Sequence, residues 1–260
     1  MDGAPLDDRG LLLGDGLFET ILARRGQLVL LDAHLARMAA GCAVLGLPVP
    51  DRGHAQRLCE VAIATSVLSD SRAAVRLTLT AGSGGRGLER ASAVVPRLFA
   101  AAAPSPSPRT PAVLVTASVR RNDGSPAARL KSLSYLDNVL ARREALAAGA
   151  DEAVMLNTRG EVACAAAANL FWLSGDRLLT PALSCGVLDG VMRRQVIERA
   201  RAAGMAIDEI EAGPEALAQA EAVFLTNSLI GARPVTRLDG RTLAPNAMAE
   251  RVADWLAKVA

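Results

Sequence analysis

Residues 129–172 read RLKSLSYLDNVLARREALAAGADEAVMLNTRGEVACAAAANLFW. The stretch opens on a lysine, Lys131, set between apolar Leu130 and Leu133. From Tyr135 to Ala148 the sequence is rich in Leu, Ala and Arg, which predicts a helix. Beyond Gly149 the pattern changes to short apolar runs broken by turn residues, predicting strands at Glu152–Leu156, Glu161–Cys164 and Leu170–Leu173. A helix between strands, followed by a hairpin, points to a mixed α/β or α+β architecture.

Downstream the pattern continues. A strand is predicted at Arg177–Leu179, a helix from about Gly190 to Ala203, strands at Met205–Ile210 and Ala222–Thr226, and a terminal helix ending in AERVADWLAKVA. Upstream lie a strand at Ala112–Val119 and, before it, AAPSPSPRTP over Ala102–Pro111, whose prolines tolerate neither a helix nor a central strand. That segment is the natural boundary, giving a small α+β domain at 1–108 and a larger domain at 109–260. The first is predicted to hold a hairpin (Gly16–Ala23 and Gln27–Leu31, turning at Arg25-Gly26). Next come a helix capped by Asp32, with Leu35, Met38, Ala39 and Leu45 facing inward, and a second helix at His54–Val67. Strands at Ala74–Thr80 and Ala93–Ala101 complete it.

Composition narrows the function classes. The chain has 260 residues, 51% of them hydrophobic but only 3% aromatic, so Ala, Val and Leu must build the core. Twenty-nine basic residues against 27 acidic ones, scattered along the chain, offer no footprint for nucleic acid or an anionic membrane. No apolar run reaches a membrane-span length. MDGAPLDDRG carries acids where a signal peptide would be basic, so the expected location is cytoplasmic. Cys42, Cys59, Cys164 and Cys185 lack a C-x-x-C spacing and there are only two histidines, so no metal site is expected and the thiols read as reduced.

Several short motifs carry possible chemistry. Gly82-Ser83-Gly84-Gly85-Arg86-Gly87 formally matches G-x-G-x-x-G, but a strand rather than a helix follows, so a hairpin loop is expected, with Arg86 free to meet a substrate carboxylate. His34 and Arg37 share a helix face. Leu188-Asp189-Gly190-Val191-Met192-Arg193 puts a glycine at a helix start, where free N–H groups can hold a phosphate. Thr226-Asn227-Ser228 ends an apolar strand with small polar groups. A lysine for covalent chemistry, an arginine, a helix amino terminus and a Thr-Asn-Ser turn are the parts a pyridoxal 5'-phosphate site needs.

In that order the motifs resemble the class IV aminotransferase family, which includes branched-chain and D-amino acid aminotransferases and 4-amino-4-deoxychorismate lyase. GDGLFET (14–20) is similar to the family's first strand and AHLAR (33–37) to its phosphate-arginine helix. LKSLSYLDNVLARREALAAGADEAVMLN, GEV, ANLFW, TP, LDGVMR and TNS follow in the family's order. The resemblance implies that fold, a Schiff base to pyridoxal phosphate at Lys131, Tyr135 and Asn169 near the cofactor, and its phosphate held by Arg37, the backbone of Val191 and Met192, and Thr226 with Asn227 or Ser228. It also implies a homodimer.

One position departs from the family. Cys164 stands five residues before Asn169, where the family usually carries a glutamate to the pyridine nitrogen, and a neutral thiol cannot balance a pyridinium as a carboxylate does. Glu161 lies three residues too early. The cofactor is therefore expected to be a weaker electron sink, which harms a lyase less than a transaminase because aromatisation of the product helps drive the lyase reaction. With the compact length, Arg86, and Thr20 as proton donor to the leaving group, the resemblance points to conversion of 4-amino-4-deoxychorismate to 4-aminobenzoate and pyruvate. The alternatives are a D-amino or branched-chain aminotransferase and a weakly active cofactor-binding protein.

Overall fold

The computed structural model describes residues 5–90, 92–106, 111–245 and 247–257. The chain divides into two compact units. One takes the residues up to Pro106 together with Leu130–Ser134, the other the stretch ending at Arg129 and everything from Tyr135 onward. A simple division after residue 108 would place Lys131 in the second unit, whereas its contacts belong to the first. Residues 107–110 of the proline-rich stretch lie outside the described residues.

In the first unit, α1 (Arg9–Leu13) precedes β1 (Gly16–Arg24), β2 (Gln27–Leu28), α2 (Leu31–Leu45), α3 (Arg52–Thr65), β3 (Arg72–Thr80) and β4 (Arg97–Pro104). The sheet order is β2-β1-β3-β4, antiparallel throughout, with β1 and β3 paired along all nine residues from Gly16↔Thr80 to Arg24↔Arg72. Leu17, Ile21 and Ala23 of β1 pack with Met38 and Cys42 of α2 and Cys59 and Ile63 of α3 to form one core. Two expectations need correcting. Gln27–Leu31 is not a full strand, because Leu30 turns left-handed (φ 54°) and the helix begins at once. Asp32 is not the cap but sits in the first turn of α2, and the N-cap residue Leu30 supplies no side-chain bond. Burial at Leu31, His34, Met38, Gly41 and Cys42 follows the helical period.

The second unit holds β5 (Ala112–Thr116), α4 (Leu136–Ala147), β6 (Glu152–Leu156), β7 (Val162–Ala165), β8 (Asn169–Ser174), β9 (Arg177–Pro181), α5 (Val191–Ala202), β10 (Ile207–Ile210), α6 (Pro214–Ala218), β11 (Ala222–Asn227), β12 (Gly231–Leu238), β13 (Arg241–Thr242) and α7 (Ala247–Ala257). Its mixed sheet runs β10-β9-β8-β11-β12-β5-β6-β7, with β13 added to β12. β9/β10, β5/β12 and β5/β6 are parallel and the rest antiparallel. The strands next to the middle are apolar on both faces, as Leu170, Phe171 and Trp172 of β8 and Val223, Phe224 and Leu225 of β11 show, all buried and with Phe171 stacked on Phe224 at 5.2 Å. Among the described residues no helix is long and apolar enough to cross a membrane.

Candidate active site

The lysine segment is held as an extra edge on β1. Phe18 N–H donates to the Lys131 carbonyl at 2.8 Å and Leu133 N–H to the Gly16 carbonyl at 3.0 Å. This fixes the direction of the Lys131 side chain, whose Nζ stands over the Phe18 ring, 4.2 Å from its centroid. The Arg76 guanidinium lies over the same ring at 3.7 Å. Because side chains alternate along a strand, Phe18 and Thr20 share one face of β1, and their cross-strand partners Thr78 and Arg76 lie on that face too. Lys131, Phe18, Thr20 and Arg76 are thus gathered on one side of the sheet.

The other side of β1 buries an acid. Glu19 is 1% exposed, between Leu17 and Ile21 on the core face. It accepts bonds from Arg37 Nε (2.9 Å) and Nη2 (2.5 Å) and lies 2.6 Å from His34 Nδ1. Burial alone would raise the Glu19 carboxyl, but His34 and Arg37 outweigh it and hold the group below the ordinary range. Burial pushes His34 down despite the pull of Glu19, so the imidazole is neutral and Nδ1–H donates to the carboxylate. Glu19 therefore fixes the guanidinium of Arg37 from behind the strand that carries Phe18 and Thr20. Nothing in the sequence flagged this acid except its place at an inward position of a strand.

Arg86 is exposed in the loop joining antiparallel β3 and β4, paired in an isolated bridge with Glu89. Gly82, Gly84, Gly85 and Gly87 all have positive φ, so the glycines serve the turn, and no helix follows to receive a dinucleotide.

In the second unit Asn169 and Thr226 lie near the start of α5. Its N-cap, Gly190, makes no side-chain cap bond, so the cap residue does not occupy the Val191 and Met192 amides at this helix start. A Cβ on Gly190 would lie 2.0 Å from Asn169 Oδ1, and Asn169 Nδ2 donates to Leu188 O at 2.9 Å, so this asparagine clamps the turn into α5. Thr226 is the cross-strand partner of Asn169. It is fully buried, and among the described residues its Oγ1 has no hydrogen-bond partner. A buried hydroxyl with nothing to bond is costly, and one on a strand against which α5 packs is what a phosphate held by that helix start would satisfy. Asn227 is engaged within the unit instead: its amide donates to Ala167 O and accepts from Leu229 and Ile230 N–H, all at 2.9 Å. Ser228 follows directly after β11, and Tyr135 immediately precedes α4.

Cys164 is buried on β7 opposite Met155, and Ala165 N–H donates to Ala168 O at 2.9 Å, so one tight turn separates Cys164 from Asn169. Glu161 precedes the strand and is held by Asn157 Nδ2 and Arg159 Nη2, both at 2.7 Å, so it cannot take the place of the missing acid. The sequence also gave no sign of Arg121, a buried arginine bonded to the Gly186 and Ala128 carbonyls and to Asn138 Oδ1. Among the described residues no cluster of His, Cys, Asp and Glu could hold a metal ion.

Residues 16–238 match the model of the amino-transferase class IV family. The chain belongs to that family. This class IV chain is 31% identical over 236 residues to the aminodeoxychorismate lyase of Bacillus subtilis, covering 89% of this chain and 80% of the relative. It is 30% identical over 267 residues to the bifunctional aminodeoxychorismate lyase / D-amino acid transaminase of Mycobacterium tuberculosis, covering 97% and 92%. Its fold is similar to that of the pyridoxal-phosphate-bound form of a hypothetical aminotransferase from Mycobacterium tuberculosis, with a TM-score of 0.87 at 29% identity over 100% and 93% of the two chains. Class IV aminotransferases are pyridoxal-phosphate-dependent enzymes, and the orphaned Thr226 hydroxyl beside an uncapped helix start fits that cofactor's phosphate.

Proposed function

We propose that the chain is an aminodeoxychorismate lyase, converting 4-amino-4-deoxychorismate to 4-aminobenzoate and pyruvate. The observation that carries this reading is the shared face of β1, where Lys131 Nζ and the Thr20 hydroxyl-bearing side chain flank Phe18. Likeness to lyases over most of the chain supports it.

Pyridoxal phosphate, when bound, supplies an aldehyde for the substrate amine and a conjugated ring that draws electrons from the carbon bearing it. Lys131 would hold the cofactor through its amine and, once that amine is freed, would take the proton from the amine-bearing carbon of the substrate. The C–O bond on the neighbouring carbon then breaks, and Thr20 gives a proton to the departing enolpyruvyl oxygen. The enol becomes pyruvate and the ring becomes aromatic. Thr226, Ser228 and the amides of Val191 and Met192 would hold the phosphate, a role the resemblance also gives to Arg37, while Tyr135 and Asn169 would line the cofactor, Asn169 by fixing the entry to α5. Arg86 meets a substrate carboxylate.

We further infer a homodimer. Leu136, Val139 and Leu140 form an exposed apolar stripe on α4, 67, 51 and 36% exposed, which a second copy would cover. Sedimentation should give twice the chain mass, and a monomer at micromolar concentration overturns that part.

A Thr20→Val variant tests the assignment of the proton donor. It should keep the cofactor's visible band and lose roughly tenfold to a thousandfold in lyase turnover, the range for one positioned proton donor. Unchanged turnover would remove Thr20 from the mechanism.

A further inference from the structure

Arg121 is a buried cation of the second unit. It is 8% exposed, yet all its acceptors are neutral: the Gly186 carbonyl (3.1 Å), Asn138 Oδ1 (3.1 Å) and the Ala128 carbonyl. Among the described residues no carboxylate forms an ion pair with it. A buried cation without an anion is unfavourable, so its surroundings disfavour any second positive charge nearby.

Its neighbour is Cys164. Arg121 binds Asn138, whose Nδ2 donates to Ala166 O (2.7 Å) and reaches Met155 Sδ (4.0 Å). Ala166 lies two residues beyond Cys164 and Met155 is its cross-strand partner, so the Asn138 amide that Arg121 binds reaches two neighbours of the thiol. The guanidinium is near enough to favour thiolate, but burial is the larger effect and pushes the thiol up, keeping S–H intact. The other nearby charge, Glu152, is bound by Arg142 at 2.7 Å and points to the opposite face of β6 from Met155 by the strand's alternation. It is therefore held away from the thiol's face.

We propose that Cys164, a neutral thiol beside the uncompensated Arg121, donates its S–H to an unprotonated pyridine nitrogen of the cofactor, so that this chain works with a neutral pyridine ring. The inference rests on the reading of the preceding subsection that the chain binds pyridoxal phosphate, and on the resemblance by which Cys164 stands where the family carries its acid to the pyridine nitrogen. The orphaned Thr226 hydroxyl independently marks a ligand in the same unit. A thiol is a weak donor and carries no charge to balance a pyridinium, and Arg121 opposes one. A neutral ring draws electrons less strongly. That suits a reaction in which the developing negative charge is used at once to expel a neighbouring oxygen, and it disfavours one in which the charge must persist until a proton returns to the cofactor.

The test is the nitrogen-15 NMR spectrum of the full-length protein loaded with ring-15N pyridoxal phosphate, together with the infrared S–H stretch of Cys164 before and after loading. The nitrogen should resonate where a neutral pyridine does in the wild type and in Cys164→Ser, and move to the pyridinium position in Cys164→Glu. The S–H stretch assigned by its loss in Cys164→Ser should shift to lower frequency on loading. A pyridinium nitrogen in the wild type, or an S–H stretch unmoved by loading, overturns the inference while leaving the cofactor assignment standing. A protein that binds no labelled cofactor overturns both. Should Cys164→Glu fail to fold, the wild-type and Cys164→Ser spectra decide the matter alone.

Discussion

Lys131 and Phe18 are held together by backbone as well as side chain: the Phe18 amide donates to the Lys131 carbonyl at 2.8 Å while the lysine Nζ stands 4.2 Å from the centre of the Phe18 ring. The strand thus sets both the height and the direction of the lysine. Lys131→Ala should abolish the visible band formed with pyridoxal phosphate and all turnover, with little change in melting temperature, because the residue is only half-buried. Absorbance after reconstitution checks it. A retained band would assign the covalent role to some other group.

Thr226 separates a ligand-binding role from a structural one. Its hydroxyl has no partner among the described residues, so the nearly isosteric Thr226→Val should leave the stability of the cofactor-free protein unchanged or raised. Cofactor affinity should fall about tenfold to a hundredfold, the loss of one hydrogen bond to a charged group. Thermal melts without cofactor and titration with it measure the two effects separately. A loss of stability with unchanged affinity would make Thr226 a core residue only.

Gly190 and Asn169 form a second such pair. A Cβ at 190 would collide with Asn169 Oδ1, and moving that side chain breaks its bond to Leu188 O. Gly190→Ala should cost roughly 1–3 kcal/mol and weaken cofactor binding. Asn169→Ala in the same chain should recover part of the loss, because it removes the clash, and a double-mutant cycle in chemical denaturation reads the coupling. Strict additivity would contradict the close approach.

Acid should destabilise the first unit in two stages. The folded protein holds neutral His34 with its titration lowered, so once pH falls below about 6.5 the unfolded chain binds a proton the folded one refuses, and stability declines. Glu19 is held low as well, so its contribution is present above the unfolded carboxyl range and lost as pH falls through the folded value. Denaturation midpoints between pH 7 and 5 should fall in the wild type and fall less in His34→Gln. Equal slopes would show that His34 does not titrate differently in the folded state.

Much of this was legible in the sequence, and the exceptions have physical causes. The strands at Gly16–Arg24 and Glu152–Leu156 and the helix at Leu136–Ala147 follow directly from residue periodicity, as does the α5 start at Gly190. β12 was not among the predicted strands, since Arg233, Pro234 and Arg237 interrupt any apolar alternation. Pro234 is tolerated because the pairing with β5 begins only at Val235 and is itself irregular there. Candidate site residues carried by short motifs, such as Lys131, Arg37 and Thr226, could be proposed from the sequence. Glu19, Arg76 and Arg121 could not, because their importance comes from partners 18, 58 and 17 positions away, Arg37, Phe18 and Asn138, brought near only by folding.

The most direct test of the account is one assay. The protein loaded with pyridoxal phosphate, given 4-amino-4-deoxychorismate and no keto acid, should release 4-aminobenzoate and pyruvate in equal amounts over many turnovers. Production of no 4-aminobenzoate, together with keto-acid-dependent conversion of a D-amino or branched-chain amino acid, would contradict the lyase assignment and make the chain an aminotransferase.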